Sequence, residues 1–167
     1  MKQNNAYKRS LLVLALSFFA VTGALAQFSV GAEVAIPMGT PWSDGVNTGF
    51  GGSLSYQAPI NDNLSWTGYF GYQSYGTKFG GYAISIIPIQ AGVKYYFTES
   101  GNGFYGEFDL GVFIASSNVP NSTSESKFGF TPAIGYRVSS FDLGLRYNLI
   151  SDANNLAFRV AYVFGSN

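Results

Sequence analysis

The sequence contains no cysteine and no histidine. The first absence excludes disulfides, a thiol nucleophile and thiolate metal sites. The second removes the commonest general base and the commonest zinc ligand. Charge is scarce too: 11% of residues are charged, against about 25% in an ordinary soluble domain. In their place stand 21 glycines among 167 residues and an aromatic content of 17%. A soluble domain rarely combines so few charges with so many rings.

The first 26 residues read as a secretory signal. Lys2, Lys8 and Arg9 precede an apolar stretch at 11–20, and Ala24-Leu25-Ala26 closes it with a small-residue cleavage pattern. The stretch is too short for a transmembrane helix, which needs about 20 apolar residues. No cysteine follows the cleavage point, so a lipid anchor is excluded. The expected organisation is a signal peptide over 1–26 and one domain over 27–167. Cleavage removes three cations and no acid, leaving six Lys/Arg against nine Asp/Glu, a net of −3. That balance offers no footprint for nucleic acid.

Beyond residue 26 the hydropathy has period 2, with no helical period. Eight alternating segments are expected at 27–36, 49–57, 64–74, 83–97, 104–114, 128–137, 141–150 and 155–164. One parity is apolar. The other is polar and padded with Gly and Ala. Eight charges fall on that polar parity: Glu33, Lys94, Glu107, Asp109, Arg137, Asp142, Arg146 and Arg159, four of each sign. The other seven mature charges (Asp44, Asp62, Lys78, Glu99, Glu125, Lys127, Asp152) are expected in connections or at a strand start.

Alternation alone fits a membrane barrel or a soluble β-sandwich. Balance favours the barrel, because a narrow interior tolerates charge only when it is paired. Length agrees: ten residues at about 3.3 Å, tilted by about 45°, rise roughly 23 Å, near the apolar height of an outer membrane. Rings also gather at the ends of the apolar stripes: Phe28, Tyr56, Tyr72, Tyr95, Phe97, Phe104, Phe128, Tyr136, Phe141 and Phe164. Such rings form interface girdles at both headgroup levels. The expected fold is all-β: an eight-stranded antiparallel transmembrane barrel of the outer membrane, closed because lipid admits no free edge. An even strand number puts both termini in the periplasm. The outward loops would be 37–48, 75–82, 115–127 and 151–154, with 115–127 the longest. The inward turns would be 58–63, 98–103 and 138–140. Pro88 and Pro132 fall inside strands and are expected to mark bulges or later strand starts.

The pattern over 27–164 resembles the small outer-membrane β-barrel domain family of Gram-negative bacteria, eight-stranded barrels of the OmpA/OmpX type. The resemblance rests on the signal peptide, the eight strands, the segment Ile87-Pro-Ile-Gln-Ala-Gly-Val-Lys-Tyr-Tyr-Phe97 and the closing strand Phe158-Arg-Val-Ala-Tyr-Val-Phe164. That strand is similar to the signal read by the barrel-assembly machinery, with Phe158, Tyr162 and Phe164 as its aromatics. It departs in carrying Arg159 where glycine is frequent, and in continuing to Gly165-Ser166-Asn167. The resemblance implies outer-membrane lipids as surroundings, and periplasmic chaperones and the assembly machinery as partners in biogenesis. It implies a monomer and no single activity.

No catalytic residue, metal ligand or cofactor is expected. Glu107 and Asp109 are the best carboxylate pair, but salt-bridging to the lumen cations is the simpler reading of them. Asp44, Asp152 and Asn154 are loop oxygens that read as solvated polarity. The Asn63-Leu-Ser65 and Asn121-Ser-Thr123 sequons are chance matches in a bacterial barrel. The glycine pairs lack a strand-to-helix context for phosphate. The leading function is therefore non-enzymatic, structural or by surface interaction, with a charge-paired, filled lumen. The alternatives are a narrow porin-like channel for small solutes and a soluble secreted β-barrel binder.

Overall fold

A computed structural model describes residues 26–98, 101–119 and 122–165. Residues 1–25 of the signal peptide expected at 1–26, together with Glu99, Asn121, Ser166 and Asn167, lie outside the described residues. Eight strands run in order: β1 Gln27–Pro37, β2 Gly49–Pro59, β3 Leu64–Gly76, β4 Ala83–Tyr96, β5 Gly103–Ser117, β6 Glu125–Val138, β7 Phe141–Ile150 and β8 Asn155–Phe164. Each pairs antiparallel with the next, and β8 returns to β1, closing the barrel. Closure leaves neither β1 nor β8 as an open edge, which an open sheet of these strands could not do.

The barrel has a termini end and a loop end. At the termini end the connections are short, 60–63, 97–102 and 139–140. The last is a two-residue turn with Ser139 at φ 53°. At the loop end lie 38–48, 77–82, 118–124 and 151–154. The stretch 115–127 is thus not the longest loop. Ala115 pairs with Glu125, Ile114 with Ser126 and Phe113 with Lys127, while on the other side Ala115 pairs with Ile86 and Ser117 with Ile84, so β4, β5 and β6 continue the ladder upward together. Glu125 and Lys127 are strand residues rather than loop residues. The longest connection is 38–48, and it contains a single helical turn, α1 (Trp42–Gly45), that the strand periodicity did not foreshadow.

Neither internal proline shifts the register. Phe70 pairs with Ile89 and Gln73 with Ile86, at constant offset, while the ladder opens between them beside Pro88. Likewise Phe130 pairs with Leu149 and Ala133 with Arg146, and the ladder opens beside Pro132. Pro88 still pairs with Phe113, and Pro132 with Phe108, on the other side. A proline lacks one donor, aimed at one neighbour only. Each therefore opens one seam and inserts no bulge.

The exterior is apolar around the ring, with Phe50, Leu54, Trp66, Phe70, Ile89, Leu110, Ile134, Leu145 and Phe158 all exposed. A wall of this kind suits lipid and would aggregate in water.

Candidate functional site: the lumen and its loop-end cap

The lumen is built by the inward parity of every strand. Backbone register alone makes three charge neighbours: Glu33 faces Arg159 across β1–β8, Lys94 faces Glu107 across β4–β5, and Arg137 faces Asp142 across β6–β7. Seven of the eight expected lumen charges join one lattice. Lys94 Nζ lies 2.9 Å from Glu107 Oε2 and 3.3 Å from Asp142 Oδ2. Arg146 grips Glu107 at 2.5 Å and Asp109 at 2.9 Å. Arg159 lies 3.6 Å from Glu33 and 3.8 Å from Asp142. Arg137 is the exception: Asp142 turns to other cations, and Arg137 donates instead to Gln27 Oε1 at 2.6 Å and the Ser139 carbonyl at 3.2 Å.

Neutral groups knit these ions together. Tyr69 OH donates to Glu33 at 2.5 Å, Gln73 Nε2 to Glu33 at 3.0 Å and Tyr75 OH to Gln73 at 2.8 Å. Thr67 donates to Asp109 at 2.6 Å and Tyr105 to Asp142 at 2.6 Å. Arg159 also reaches Ser53 and Ser29, at 2.9 and 2.8 Å. Two cations lie over rings: Lys94 4.0 Å from the Tyr105 centroid, and Arg146 3.9 Å from that of Tyr69. A buried charge is tolerable when most of its hydrogen-bonding capacity is met in this way, and at Arg146 both terminal nitrogens are bonded while Nε is left without a partner.

Rings are not confined to the exterior. Tyr69, Tyr75, Tyr96, Tyr105 and Phe113 are buried on the lumen side. Glycines of the wall give them floors: a Cβ on Gly49 would meet Tyr75, one on Gly129 would meet Phe113, and one on Gly135 would strike Tyr105. Sequence reasoning missed these five, although their even spacing from Thr67, Gln73 and Glu107 already puts Tyr69, Tyr75, Tyr105 and Phe113 on the inward parity. Above the ions the lumen turns apolar. Ala35, Tyr75, Ile86, Phe113, Ile150 and Ala157 pack with Val46 at the loop end, and Trp42 of α1 covers them. The Trp42 and Tyr75 rings meet edge-on at 5.3 Å.

The ten exterior rings expected at the interfaces are unevenly distributed. Phe28, Tyr56, Tyr95, Phe97, Phe104, Tyr136, Phe141 and Phe164 ring the termini end, while Tyr72 and Phe128 lie toward the loop end. Contacts tie the dense ring together: Phe28–Tyr56 at 5.2 Å, Phe104–Tyr136 at 4.6 Å and Tyr162–Phe164 at 5.0 Å. Of the closing-strand aromatics, Phe158, Tyr162 and Phe164 all point outward, exposed. Arg159, between them, points inward to the lattice.

Solved barrels share this backbone. Ail of Yersinia pestis superposes with a TM-score of 0.57 at 16% identity, over 83% of this chain and 97% of Ail. The fold is that of the small outer-membrane barrels. Neisserial surface protein A gives a TM-score of 0.53 at 20% identity, over 82% and 96% of the two chains. The N-terminal barrel of Pseudomonas aeruginosa OprF gives 0.53 at 12%, over 83% and 97%. No protein-family model and no curated protein matches the sequence. The barrel thus shares backbone architecture with these proteins, while its lumen lattice and cap are described by its own residues.

Proposed function

We propose that the protein is a monomeric, non-enzymatic outer-membrane barrel with a filled lumen, serving as envelope structure or acting through its loops. Both termini lie on the periplasmic side in this reading, so the loop end faces outward. Lipid surrounds the wall, and periplasmic chaperones and the assembly machinery handle the chain before insertion. One observation carries the filled lumen. Arg146 on β7 packs over Tyr69 on β3, the diametrically opposite strand of eight, so these two side chains together span the lumen. An eight-stranded barrel is just wide enough to be filled in this manner.

Two measurements test this reading. On a gel after outer-membrane fractionation, the mature protein is expected to run as a compact band that shifts on boiling. A protein that refolds in plain buffer without detergent, with no such shift, would return the reading to a soluble binder. In a planar bilayer the refolded barrel is expected to show no steady conductance. A steady open channel that disappears on neutral substitution of Arg146 would make it a narrow pore.

Ail, the attachment invasion locus protein, has been solved in complex with the heparin analogue sucrose octasulfate. A polyanion suits the present chain poorly. Among the described loop-end residues the cations are Lys78 and Lys127. Lys78 donates to the Ser43 carbonyl at 2.8 Å, and Lys127 lies between two carboxylates.

A further inference from the structure

At the loop end a cleft of about 200 Å³ lies against Trp42, with Ile84, Ile86, Phe113, Ala115 and Ile150 completing its apolar lining. Ile86, Phe113 and Ile150 form its buried floor. Trp42, Ile84 and Ala115 are only partly buried, so the cleft opens toward the loops. An apolar cavity of about 150 Å³ is large enough to take benzene. This one therefore accepts a single ring with a short substituent. Trp42 and Phe113 supply aromatic faces for such a ring.

The rim is charged and unbalanced. Glu125, Lys127 and Asp152 border the same cleft. Lys127 Nζ lies 3.6 Å from Glu125 and 3.5 Å from Asp152. One ammonium shared by two carboxylates leaves one negative charge in excess. Both carboxylates are well exposed, at 69% and 79%, so a second cation can reach them. An apolar floor under a rim with one surplus carboxylate is complementary to an apolar ring bearing a cation.

We propose that this cleft binds a small aromatic amine, ring inward against Trp42 and Phe113, ammonium at the Glu125–Asp152 rim. The site goes beyond a structural role and does not require the lumen to conduct. A neutral hydrophobe, such as the end of a lipid chain, would use the floor and ignore the rim.

The chain has two tryptophans, Trp42 and Trp66, and Trp66 faces the exterior. Trp66→Phe leaves Trp42 as the sole reporter in the full barrel refolded into phosphatidylcholine vesicles. Titration with 2-phenylethylamine is expected to give a saturable fluorescence change, and 2-phenylethanol to bind about two- to fivefold more weakly, the size of an exposed charge interaction. Glu125→Gln with Asp152→Asn is expected to erase that difference while keeping the floor. Ala115→Phe, which fills the cleft, is expected to abolish saturation with both probes, the boiling shift on a gel confirming that the barrel still closes. A linear, non-saturating response would overturn the proposal. So would equal binding of amine and alcohol to the unmodified rim, or unchanged saturation in the filled variant.

Discussion

Arg146→Met is expected to lower the unfolding free energy of the barrel by about 3–5 kcal/mol, the range for removing one partner of a buried ion pair. The change deletes the contacts to Glu107 and Asp109 and the donation to Gln90 at 3.1 Å. Glu107 keeps Lys94 at 2.9 Å. Asp109 keeps only a hydroxyl among these partners, that of Thr67. The stranded charge is therefore on Asp109, and adding Asp109→Asn to Arg146→Met is expected to recover at least about 1 kcal/mol. Urea unfolding in lipid vesicles, followed by the boiling shift, measures both variants. If the double variant is no more stable than the single, the cost comes from lost packing across the lumen and not from the uncompensated carboxylate. Arg146→Lys is expected to fall between, because an ammonium cannot reach two carboxylates in the forked geometry of guanidinium.

The second large effect concerns a residue with no side chain. A Cβ at Gly135 would strike the ring and hydroxyl of Tyr105 and sit 2.5 Å from the Leu143 carbonyl. Gly135→Val must therefore move Tyr105, which bonds Asp142 and covers Lys94. Overpacking costs about 1–3 kcal/mol, and losing a buried hydrogen bond to a charged group costs about 1.5–3 kcal/mol. A loss of about 3–5 kcal/mol is expected on that basis. Gly106→Val is the control, since a Cβ there meets only Phe97, at 3.9 Å. Its cost is expected to stay within about 0.5 kcal/mol, as for other surface changes. Tyr105→Ala placed in the Gly135→Val chain is expected to cost less than the two single effects together. Simple additivity in that cycle would disprove the proposed clash.

The parity of each strand was legible because a side-chain period of 2 leaves no freedom: Glu33, Lys94, Asp142 and Arg146 could only face one way. Two strands, β7 and β8, match their expected limits residue for residue, since Ser139 and Asp152 lie in sharp turns beside them. The ends of β5 and β6 extend further than expected because Ser116, Ser117, Ser126 and Lys127 look like loop residues. Their pairing is decided by the opposite strand, which composition does not record. Which charges meet was only partly legible. Cross-strand neighbours follow from register, but Arg137 shows that a neighbour need not be a partner. The lumen rings were hidden by the assumption that aromatics belong to lipid. The loop-end cap depends on α1, a single turn too short to leave a period in the sequence.

Arg159 gives barrel closure a chemical consequence. It sits on the last strand, and its contacts to Glu33, Ser29 and Ser53 all reach the first two strands. Until β8 docks on β1, Glu33 lacks its guanidinium, whereas Asp142 on the neighbouring β7 already has Lys94. A chain with seven strands in lipid would hold an unneutralised acid in its middle. Closing the ring of backbone hydrogen bonds and neutralising that acid are thus a single event, performed by one strand whose outward rings meet lipid while its inward arginine completes the interior.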